Sequence, residues 1–293
     1  MTGAFPRISI VTPNYNQAPY LERTLTSVLG QNYPALDYIV MDGGSNDASV
    51  EIIERHSGQL SYWKSAPDNG QYDAVTKGFA HATGEVMGWI NSDDIYLPWT
   101  LRTVGEIFRD CPEVDWITSL TQPQIGQTEA WTGVHLLPGV SRDSFLDGRH
   151  LGYGWRNIGY IQQEATFWRR DLWEAAGGSV GRTSPTAGDF ELWCTFFSHT
   201  EIACVTQPLA AFRSRPGQRS QAFSERYRAE SEVALRRFRA SAAHRAAPAR
   251  QLGAMVTSVA RRKPTGLIHH LGYKATKCIS SVRGWRCEPT LFL

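Results

Sequence analysis

Residues 85–94 read EVMGWINSDD and join an apolar run to an acidic turn. The run 85–90 has the length and composition of a buried strand, and the turn of residues 91–94 follows it at once. A carboxylate directly after a buried strand can hold a hard cation, which in turn clamps a diphosphate. A turn of this kind standing alone more often marks the start of a helix, because Asp and Ser are common turn and cap residues.

Further strands and helices are predicted on either side of this stretch. Short apolar runs predict strands at 8–12, 38–41, 60–63 and 114–118, with helical patterns between them. This alternation indicates an α/β fold with a mostly parallel sheet flanked by helices. Asp42, Asp68 and Asp93 each follow a predicted strand, and the carboxyl ends of parallel strands meet at one edge of a sheet. We therefore expect three acidic turns at one edge, which indicates a site for a polar ligand.

The pattern changes after residue 120. A strand is predicted at 164–168, a helix starts at Asp189, and 203–206 and 209–212 are predicted to pair as strands at the sheet edge. From residue 224 a helix is predicted, and the three-to-four spacing of apolar residues over 267–282 predicts a second one.

Charge divides the chain into two parts. Residues 1–224 hold 16 Lys and Arg against 24 Asp and Glu, a balance of −8. Residues 225–293 hold 14 against 4, a balance of +10. The chain is thus an acidic body with a basic helical tail, and such a tail suits an anionic surface such as a membrane. The tail's apolar faces and its Arg236, Arg237 and Arg239 are equally suited to packing on the acidic body, and we expect no nucleic-acid partner.

The five cysteines are an odd number without a C-x-x-C pair. This spacing argues against a disulfide framework and a zinc site, and it fits a reducing cytosol. The start of the chain has no signal-peptide pattern, and no apolar run reaches the ~20 residues of a membrane span. We expect a cytoplasmic protein that meets a membrane only as a peripheral protein on its inner face.

Four ordered motifs resemble those of family 2 glycosyltransferases, which have the GT-A fold. They read ISIVTPNYNQ, YIVMDGGSNDAS, SAPDNGQYDAVTKG and GEVMGWINSDDIYLP. QEATFWRRDLWEAAGG, GDFELW and LAAFRSRPGQRS extend the resemblance to about residue 220. The resemblance implies a glycosyltransferase domain over 1–224, with a nucleotide-binding half at about 1–118 and an acceptor half at about 119–224, followed by the tail at 225–293.

The resemblance also implies roles in nucleotide binding. Pro13 and Tyr15 would line the base pocket, with the tyrosine ring as a stacking face. Asp42 would accept a hydrogen bond from the base, which favours uracil and hence a UDP-sugar. Asp68 would lie near the ribose or base.

The D-x-D motif of the family falls on Asn91, Ser92 and Asp93. The resemblance implies Asp93 as a metal ligand, with Asp94 beside it, for Mn²⁺ or Mg²⁺. The family often has Asp where this chain has Asn91, which can bind a ribose hydroxyl together with Ser92 but adds no charge.

Asp189 in GDFELW matches the catalytic base of the family, and its alternative role is that of a helix N-cap. Many members have Glu where this chain has Gly188. Some members have a metal-binding His after the last strand, where this chain has FRSR, so the resemblance implies that Arg215 contacts the diphosphate.

Residues of the acceptor half are candidates for an acceptor pocket. Gln163 and Glu164 could contact the diphosphate or acceptor, and Tyr153 and Trp155 offer faces for a sugar. We expect Trp168 and Trp193 to lie in the core.

The resemblance thus implies an inverting, metal-dependent hexosyl- or related glycosyltransferase that uses a nucleotide-sugar. A glycan or lipid-linked acceptor implies a role in cell-surface polysaccharide or glycolipid synthesis. Two alternatives stay open: a sugar-nucleotide-binding module with weakened catalysis, favoured by Asn91, Gly188 and Arg215, and a nucleotidyltransferase, whose usual Gly-rich basic loop is absent from the first turn.

Overall fold

Nine strands form one sheet that runs through the whole molecule. The computed structural model describes residues 4–154, 157–218, 222–242, 272–282 and 284–292. In spatial order the sheet consists of β13 (Gly284–Phe292), β12 (Tyr273–Ser281), β10 (Ala203–Val205), β6 (Trp116–Ser119), β9 (Thr166–Arg169), β4 (Val86–Trp89), β1 (Ile8–Asn14), β2 (Leu36–Asp42) and β3 (Tyr62–Ser65). A second sheet contains β5 (Ile95–Tyr96), β11 (Ala210–Arg213), β7 (Thr121–Ile125) and β8 (Trp131–Leu136).

Helices connect and flank the strands. They are α1 (Ala18–Leu29), α2 (Ser49–His56), α3 (Gln71–Phe79), α4 (Thr100–Asp110), α5 (Arg142–Leu146), α6 (Arg170–Ala175), α7 (Gly188–His199) and α8 (Ser224–Ser241). Two short 3₁₀ turns, Ser57–Gln59 and Gln163–Ala165, complete the described elements. Within the described ranges, every helix is too short or too polar to cross a bilayer.

The predicted α/β architecture with a mostly parallel sheet is confirmed. Strand β1 pairs in parallel with β2 and β4, and β10 pairs in parallel with β6 and β12. Only β9 and β13 run antiparallel to their neighbours in this sheet, among the strands described. The register places Asn14 opposite Asp42 and Asp42 opposite Ser65, so polar residues align where three strands end.

Alternation along the strands gives each face of the sheet its own core. On β1, Ile8 and Ile10 pack in one apolar cluster with α1 and α4, and Val11 packs in the other with α3 and α7. The second cluster contains a group of stacked and edge-on indoles, which includes the fully buried Trp168 and Trp193. The expectation that these two tryptophans are core residues is confirmed.

The strands expected at 203–206 and 209–212 do not pair with each other. Strand β10 lies inside the large sheet between β6 and β12, and β11 joins the small sheet between β5 and β7. That pairing prediction was wrong, because β6 and β12 already pair with the two edges of β10 and leave no edge for β11.

In the part of the tail that the structure describes, a helix comes first and a hairpin of strands last. Helix α8 confirms the first prediction, but the second predicted helix is wrong where it can be compared, since β12 and β13 form a hairpin. Residues 273–282 contain β-branched residues, and Gly284 adopts a positive φ of 105° at the turn. Pairing with β10 supplies the packing that a helix here would lack. Leu267, Ile268 and Leu271 lie outside the described residues.

One disulfide corrects the expectation of unpaired thiols. Cys278 and Cys287 are bonded across the hairpin, where they stand opposite each other. Cys111, Cys194 and Cys204 are free and buried. The spacing of the cysteines in the sequence does not indicate this disulfide, because antiparallel strand pairing brings two residues nine positions apart into contact.

Candidate active site

The turn after β2 is organised by the Asp42 carboxylate. Its Oδ1 accepts hydrogen bonds from Asn14 Nδ2 (2.6 Å) and Ser45 Oγ (2.5 Å). Its Oδ2 accepts from the Gly44 and Ser45 amides (3.1 and 2.9 Å) and from Ser65 Oγ (2.6 Å). Burial alone would raise the pKa of Asp42, but these donors outweigh it and hold the pKa below its usual value. Asp42 is therefore ionised, and both of its carboxylate oxygens accept hydrogen bonds from residues of the same chain.

Two other predicted nucleotide-binding residues lie near this turn. Pro13 pairs with Met41 within the sheet, and the side chain of Tyr15 is 60% exposed just beyond β1. Asp68 lies over the turn: a Cβ atom added at Gly43 would come within 2.9 Å of its Oδ2. The Oδ1 of Asp68 accepts from the Gly70 amide at 2.7 Å, directly before α3.

The acidic turn of residues 91–94 lies after β4. Asn91 Oδ1 accepts from Gln71 Nε2 at 2.6 Å, which connects this turn to the start of α3. Ser92, Asp93 and Asp94 are buried, and the Asp94 carboxylate accepts from the Arg213 amide at 2.9 Å. Burial first, then the nearby Asp93 and Glu164 carboxylates, raise the pKa of Asp94 well above its usual value.

Two arginines from the end of β11 and the loop after it contact this turn. Arg215 Nε donates to Asp93 Oδ2 at 2.8 Å, as an ion pair. Arg213 is 1% exposed and donates through Nε to the Asp93 carbonyl at 2.6 Å. Both guanidinium groups lie over the ring of Tyr20, at 5.1 and 5.3 Å from its centroid. Sequence reasoning missed Arg213 and Tyr20; the only available signal was a second arginine in FRSR.

Glu164 lies close enough to the acidic turn to interact with it electrostatically. It is 3% exposed, and its Oε1 atom has no hydrogen-bond partner. Burial raises its pKa to about 7, with further contributions from the Asp189 and Asp93 carboxylates. The neighbouring Gln163 has its amide engaged with the Trp89 carbonyl. Of the two acceptor candidates, Glu164 is thus the one with an unused polar atom.

Asp189 lies in the first turn of α7, where Ala187 is the N-cap. Its Oδ1 accepts from the Tyr72 hydroxyl and its Oδ2 from the Tyr227 hydroxyl, each at 3.2 Å. Burial raises the pKa of Asp189, while hydrogen bonds from the Phe190 amide and the two tyrosines offset part of the rise. Asp189 is therefore a half-buried carboxylate whose pKa is raised, and a raised pKa makes a carboxylate a stronger base.

Gly188 has a steric explanation. A Cβ atom at this position would lie 2.7 Å from Cε2 of Tyr72 and 2.7 Å from the Cα of Gly181. The tyrosine ring thus occupies the space into which a side chain at position 188 would project. This close packing directs the Tyr72 hydroxyl toward Asp189.

Tyr227 was not predicted as a site residue. It belongs to α8, which the predicted domain boundary at residue 224 assigned to the tail. In the sequence it is only one apolar position of an amphipathic helix.

The other predicted acceptor residues are only partly placed. Tyr153 donates its hydroxyl hydrogen to the Glu232 carboxylate of α8, and Trp155 lies outside the described residues. A cavity of about 430 Å³ opens between the start of α3, residues 179–186 and the start of α8. Tyr72, Thr186, Phe223 and Arg226 are among its lining residues. A polar lining with an aromatic face suits a carbohydrate.

The structure thus brings the predicted chemistry into two connected regions. Asp42, Asp68 and Tyr15 lie at the ends of β1, β2 and β3. Carboxylates from four positions interact around the end of β4: Asp93, Asp94, Glu164 and Asp189. Such a concentration of carboxyl groups away from solvent costs stability, and it is typical of a site that binds cations or carries out acid–base chemistry.

Comparisons with known proteins agree with this arrangement. The family profile "Glycosyl transferase family 2" matches residues 9–169, more than half of the 293-residue chain. An uncharacterized glycosyltransferase of Mycobacterium tuberculosis is 40% identical over 95 residues, which cover 32% of this chain and 36% of that protein. The chain therefore spans about a third of the length of the curated relatives that it matches first.

Two solved structures share the fold. S. aureus TarS 1–349 in complex with UDP-GlcNAc has a TM-score of 0.58 and 15% identity, over 74% of this chain and 61% of that chain. The mannosyltransferase PcManGT from Pyrobaculum calidifontis, in complex with GDP-Man and Mn²⁺, has a TM-score of 0.51 and 19% identity, over 89% and 82%. At these identities the likeness shows the GT-A fold alone. The family profile that matches residues 9–169 places the chain in glycosyltransferase family 2, and the solved structures show the GT-A fold.

Proposed function

We propose that this glycosyltransferase moves a sugar from a nucleoside diphosphate donor, a UDP-sugar foremost, to an acceptor hydroxyl with inversion at the anomeric carbon. One observation carries the proposal. Asp189 is a half-buried carboxylate held at both oxygens by tyrosine hydroxyls, and it interacts with Glu164 beside the acidic turn after β4.

The proposed reaction uses Asp189 as the base. The acceptor hydroxyl gives its proton to the Asp189 carboxylate while its oxygen forms a bond to the anomeric carbon. The bond from that carbon to the diphosphate oxygen breaks on the opposite face, and its electron pair leaves with the diphosphate. Each carboxylate oxygen has a second lone pair, so the tyrosine hydrogen bonds leave room for the proton.

The nucleotide would bind across the ends of β1, β2 and β3. The exposed ring of Tyr15 supports base stacking, and Asp68 with Asn91 and Ser92 supports contacts to the ribose. Asp42 already accepts five hydrogen bonds, so a base N–H would have to replace the rotatable hydroxyl of Ser45 or Ser65.

We propose that the acidic turn and Glu164 supply oxygen ligands to a divalent cation, which substrate phosphates would complete. Asp93 and Asp94 offer carboxylate oxygens, and Glu164 Oε1 is a buried oxygen without a partner. In the described ranges, no three acidic side chains have oxygens within 4.8 Å of one another here. Mg²⁺ is typically held by one or two carboxylates plus substrate phosphates, and Mn²⁺ accepts similar oxygen ligands. When bound, the ion would neutralise charge on the departing diphosphate.

Arg215 would compete with a cation for Asp93. In the structure Arg215 donates a hydrogen bond to Asp93 Oδ2. If a cation displaced it from Asp93, its guanidinium group would be available to the diphosphate oxygens. We expect EDTA to abolish turnover, and Asp93→Ala to abolish it and to weaken the metal-dependent part of donor binding. Full activity in EDTA would remove the metal from the proposal and leave Arg215 as the counter-charge.

The acceptor would approach from the cavity beside Tyr72 and Phe223. Its polar and aromatic lining supports a glycan, and a hexose is the proposed unit transferred. We further propose that the acceptor is linked to a lipid and that the product enters polysaccharide or glycolipid synthesis. The protein would then act in the cytoplasm, as a peripheral protein on the inner face of the membrane. The basic residues exposed on α8, such as Arg226 and Arg236, support contact with an anionic surface.

A donor panel with a base variant tests the function. We expect one nucleotide-sugar to raise the melting temperature in the presence of Mn²⁺ and to release nucleoside diphosphate when acceptor is added. Asp189→Asn keeps the size of the side chain but removes the proton acceptor, so kcat should fall ~10²–10⁴-fold with donor affinity retained. NMR of the product should show inverted anomeric configuration. Near wild-type kcat in this variant would exclude Asp189 as the base and point to Glu164 or Glu191.

A binding module with weakened catalysis is the second candidate. The Arg215–Asp93 ion pair favours it, because it fills a ligand position of the proposed metal. Donor binding without nucleoside diphosphate release from any acceptor mixture would identify it. Membership of the glycosyltransferase family leaves the nucleotidyltransferase alternative without support.

A further inference from the structure

Helix α8 packs against the body through one face. Ser231, Ala234, Leu235 and Phe238 are its buried residues, and Tyr227 precedes them at helical spacing on the same face. The buried apolar residues join the same core cluster as residues of α7. The helix is therefore fixed beside α7, which carries Asp189.

Two side chains of α8 reach the segment around Asp189. Tyr227 donates to Asp189 Oδ2, and Glu230, one turn later, accepts from the Thr186 and Ala187 amides at 2.7 and 3.0 Å. These amides directly precede α7. The helix thus contacts both the carboxylate and the backbone that presents it.

Tyr72 and Tyr227 contact Asp189 from two different helices. Tyr72 comes from α3 and shares its hydroxyl hydrogen between Asp189 Oδ1 and the Thr186 carbonyl, at 3.2 and 3.1 Å. Tyr227 comes from α8 and contacts the other carboxylate oxygen. A separation of 3.2 Å is long for O–H···O, as is common in catalytic sites before substrate binds.

We propose that Tyr227 is a positioning residue for Asp189, and that α8 is therefore part of the active site and not an appendage of it. The inference rests on the proposed function of Asp189 as the base. Tyr227 orients the carboxylate and stabilises its charged form, so that the base is ionised at a lower pH than its burial alone would allow.

The expected pH effect follows from the groups that face Asp189. These are the hydroxyls of Tyr72, Tyr227 and Tyr160 and the carboxyl group of Glu164. A hydroxyl donor favours the ionised carboxylate, and a second carboxylate disfavours it. Loss of the Tyr227 hydroxyl should therefore raise the pKa of Asp189. The acid limb of the kcat/KM profile should move to higher pH by about one unit, because hydrogen bonds to charged groups have that size of effect.

The test compares three Tyr→Phe variants of the full chain. Tyr227→Phe should shift the acid limb upward and lower kcat/KM roughly tenfold at pH values below the wild-type pKa. Tyr72→Phe should shift it in the same direction, and it provides a second test on another element if Tyr227→Phe does not fold. Tyr33→Phe is the matched control, since it removes a buried hydroxyl that donates to the Pro6 carbonyl far from Asp189. It should keep the wild-type profile.

A second readout does not depend on turnover. The Asp189 carboxyl pKa, followed by carbon NMR in the folded protein, should be higher in Tyr227→Phe than in the wild type. An unchanged pKa and an unchanged acid limb would overturn the proposal. If the pKa rises but the wild type shows no transfer with any donor, the role of Tyr227 stands and the proposed function fails.

Discussion

At the residue scale, the buried Asp42 and the half-buried Asp189 show how local donors set the role of a carboxylate. Asp42 accepts five hydrogen bonds, and its pKa lies below the usual value. Asp189 receives fewer donors and its pKa is raised. The first carboxylate is committed to shaping its turn, whereas the second keeps basicity that a reaction can use.

Gly188 provides a residue-scale prediction. Gly188→Ala should lower the free energy of unfolding by about 1–3 kcal/mol, because its Cβ would overlap the Tyr72 ring and the Gly181 backbone. It should also reduce kcat, since the displaced ring carries the hydroxyl that contacts Asp189. Chemical denaturation and steady-state kinetics measure the two effects.

Gly58→Ala is the control for this variant. A Cβ at Gly58 would meet no atom within 4 Å, so we expect stability and kcat close to wild type. Equal behaviour of the two variants would show that close packing at Gly188 is unimportant.

At the element scale, α8 and the hairpin of β12 and β13 join the body in different ways. Helix α8 inserts an apolar face and two polar contacts beside α7. Strand β12 continues the large sheet next to β10, and β13 closes it. Both elements of the basic tail that the structure describes are thus packed on the body.

Glu230 provides an element-scale prediction. Glu230→Ala should lower the free energy of unfolding by about 1–3 kcal/mol, because two amides before α7 lose a charged acceptor. Glu225→Ala, in the first turn of the same helix, should cost about 0.5 kcal/mol or less. A Glu230 variant as stable as the Glu225 variant would show that α8 does not brace α7.

At the scale of the whole molecule, two surfaces compete for the basic tail: an anionic membrane and the acidic body of the protein itself. Of the arginines expected to pair with body carboxylates, Arg236 pairs with Glu232 of its own helix at 3.6 Å. Arg237 and Arg239 donate to Thr183 Oγ1 and the Leu146 carbonyl of the body. The apolar face of α8 is occupied by the core. Any membrane contact of this helix would therefore be electrostatic.

Vesicle flotation tests that contact. The full chain should float with anionic vesicles at low salt, stay behind with neutral ones, and be released at about 1 M salt, where charges are screened beyond roughly 3 Å. Flotation that persists at high salt would indicate apolar insertion. Absence of flotation at low salt would mean that the tail serves only to pack on the body.

The sequence by itself determined the α/β architecture and the acidic edge of the sheet. Both depend on local patterns: apolar runs followed by turns predict parallel strands, and parallel strands place Asp42 and Asp93 at a common edge wherever the rest of the chain goes. The family resemblance added Asp189 as the candidate base. Tertiary structure alone decided what surrounds these carboxylates, because Tyr72 and Tyr227 lie 117 and 38 positions from Asp189. It also decided the hairpin, since the apolar spacing of residues 273–282 suits a helix until β10 offers an open strand to pair with.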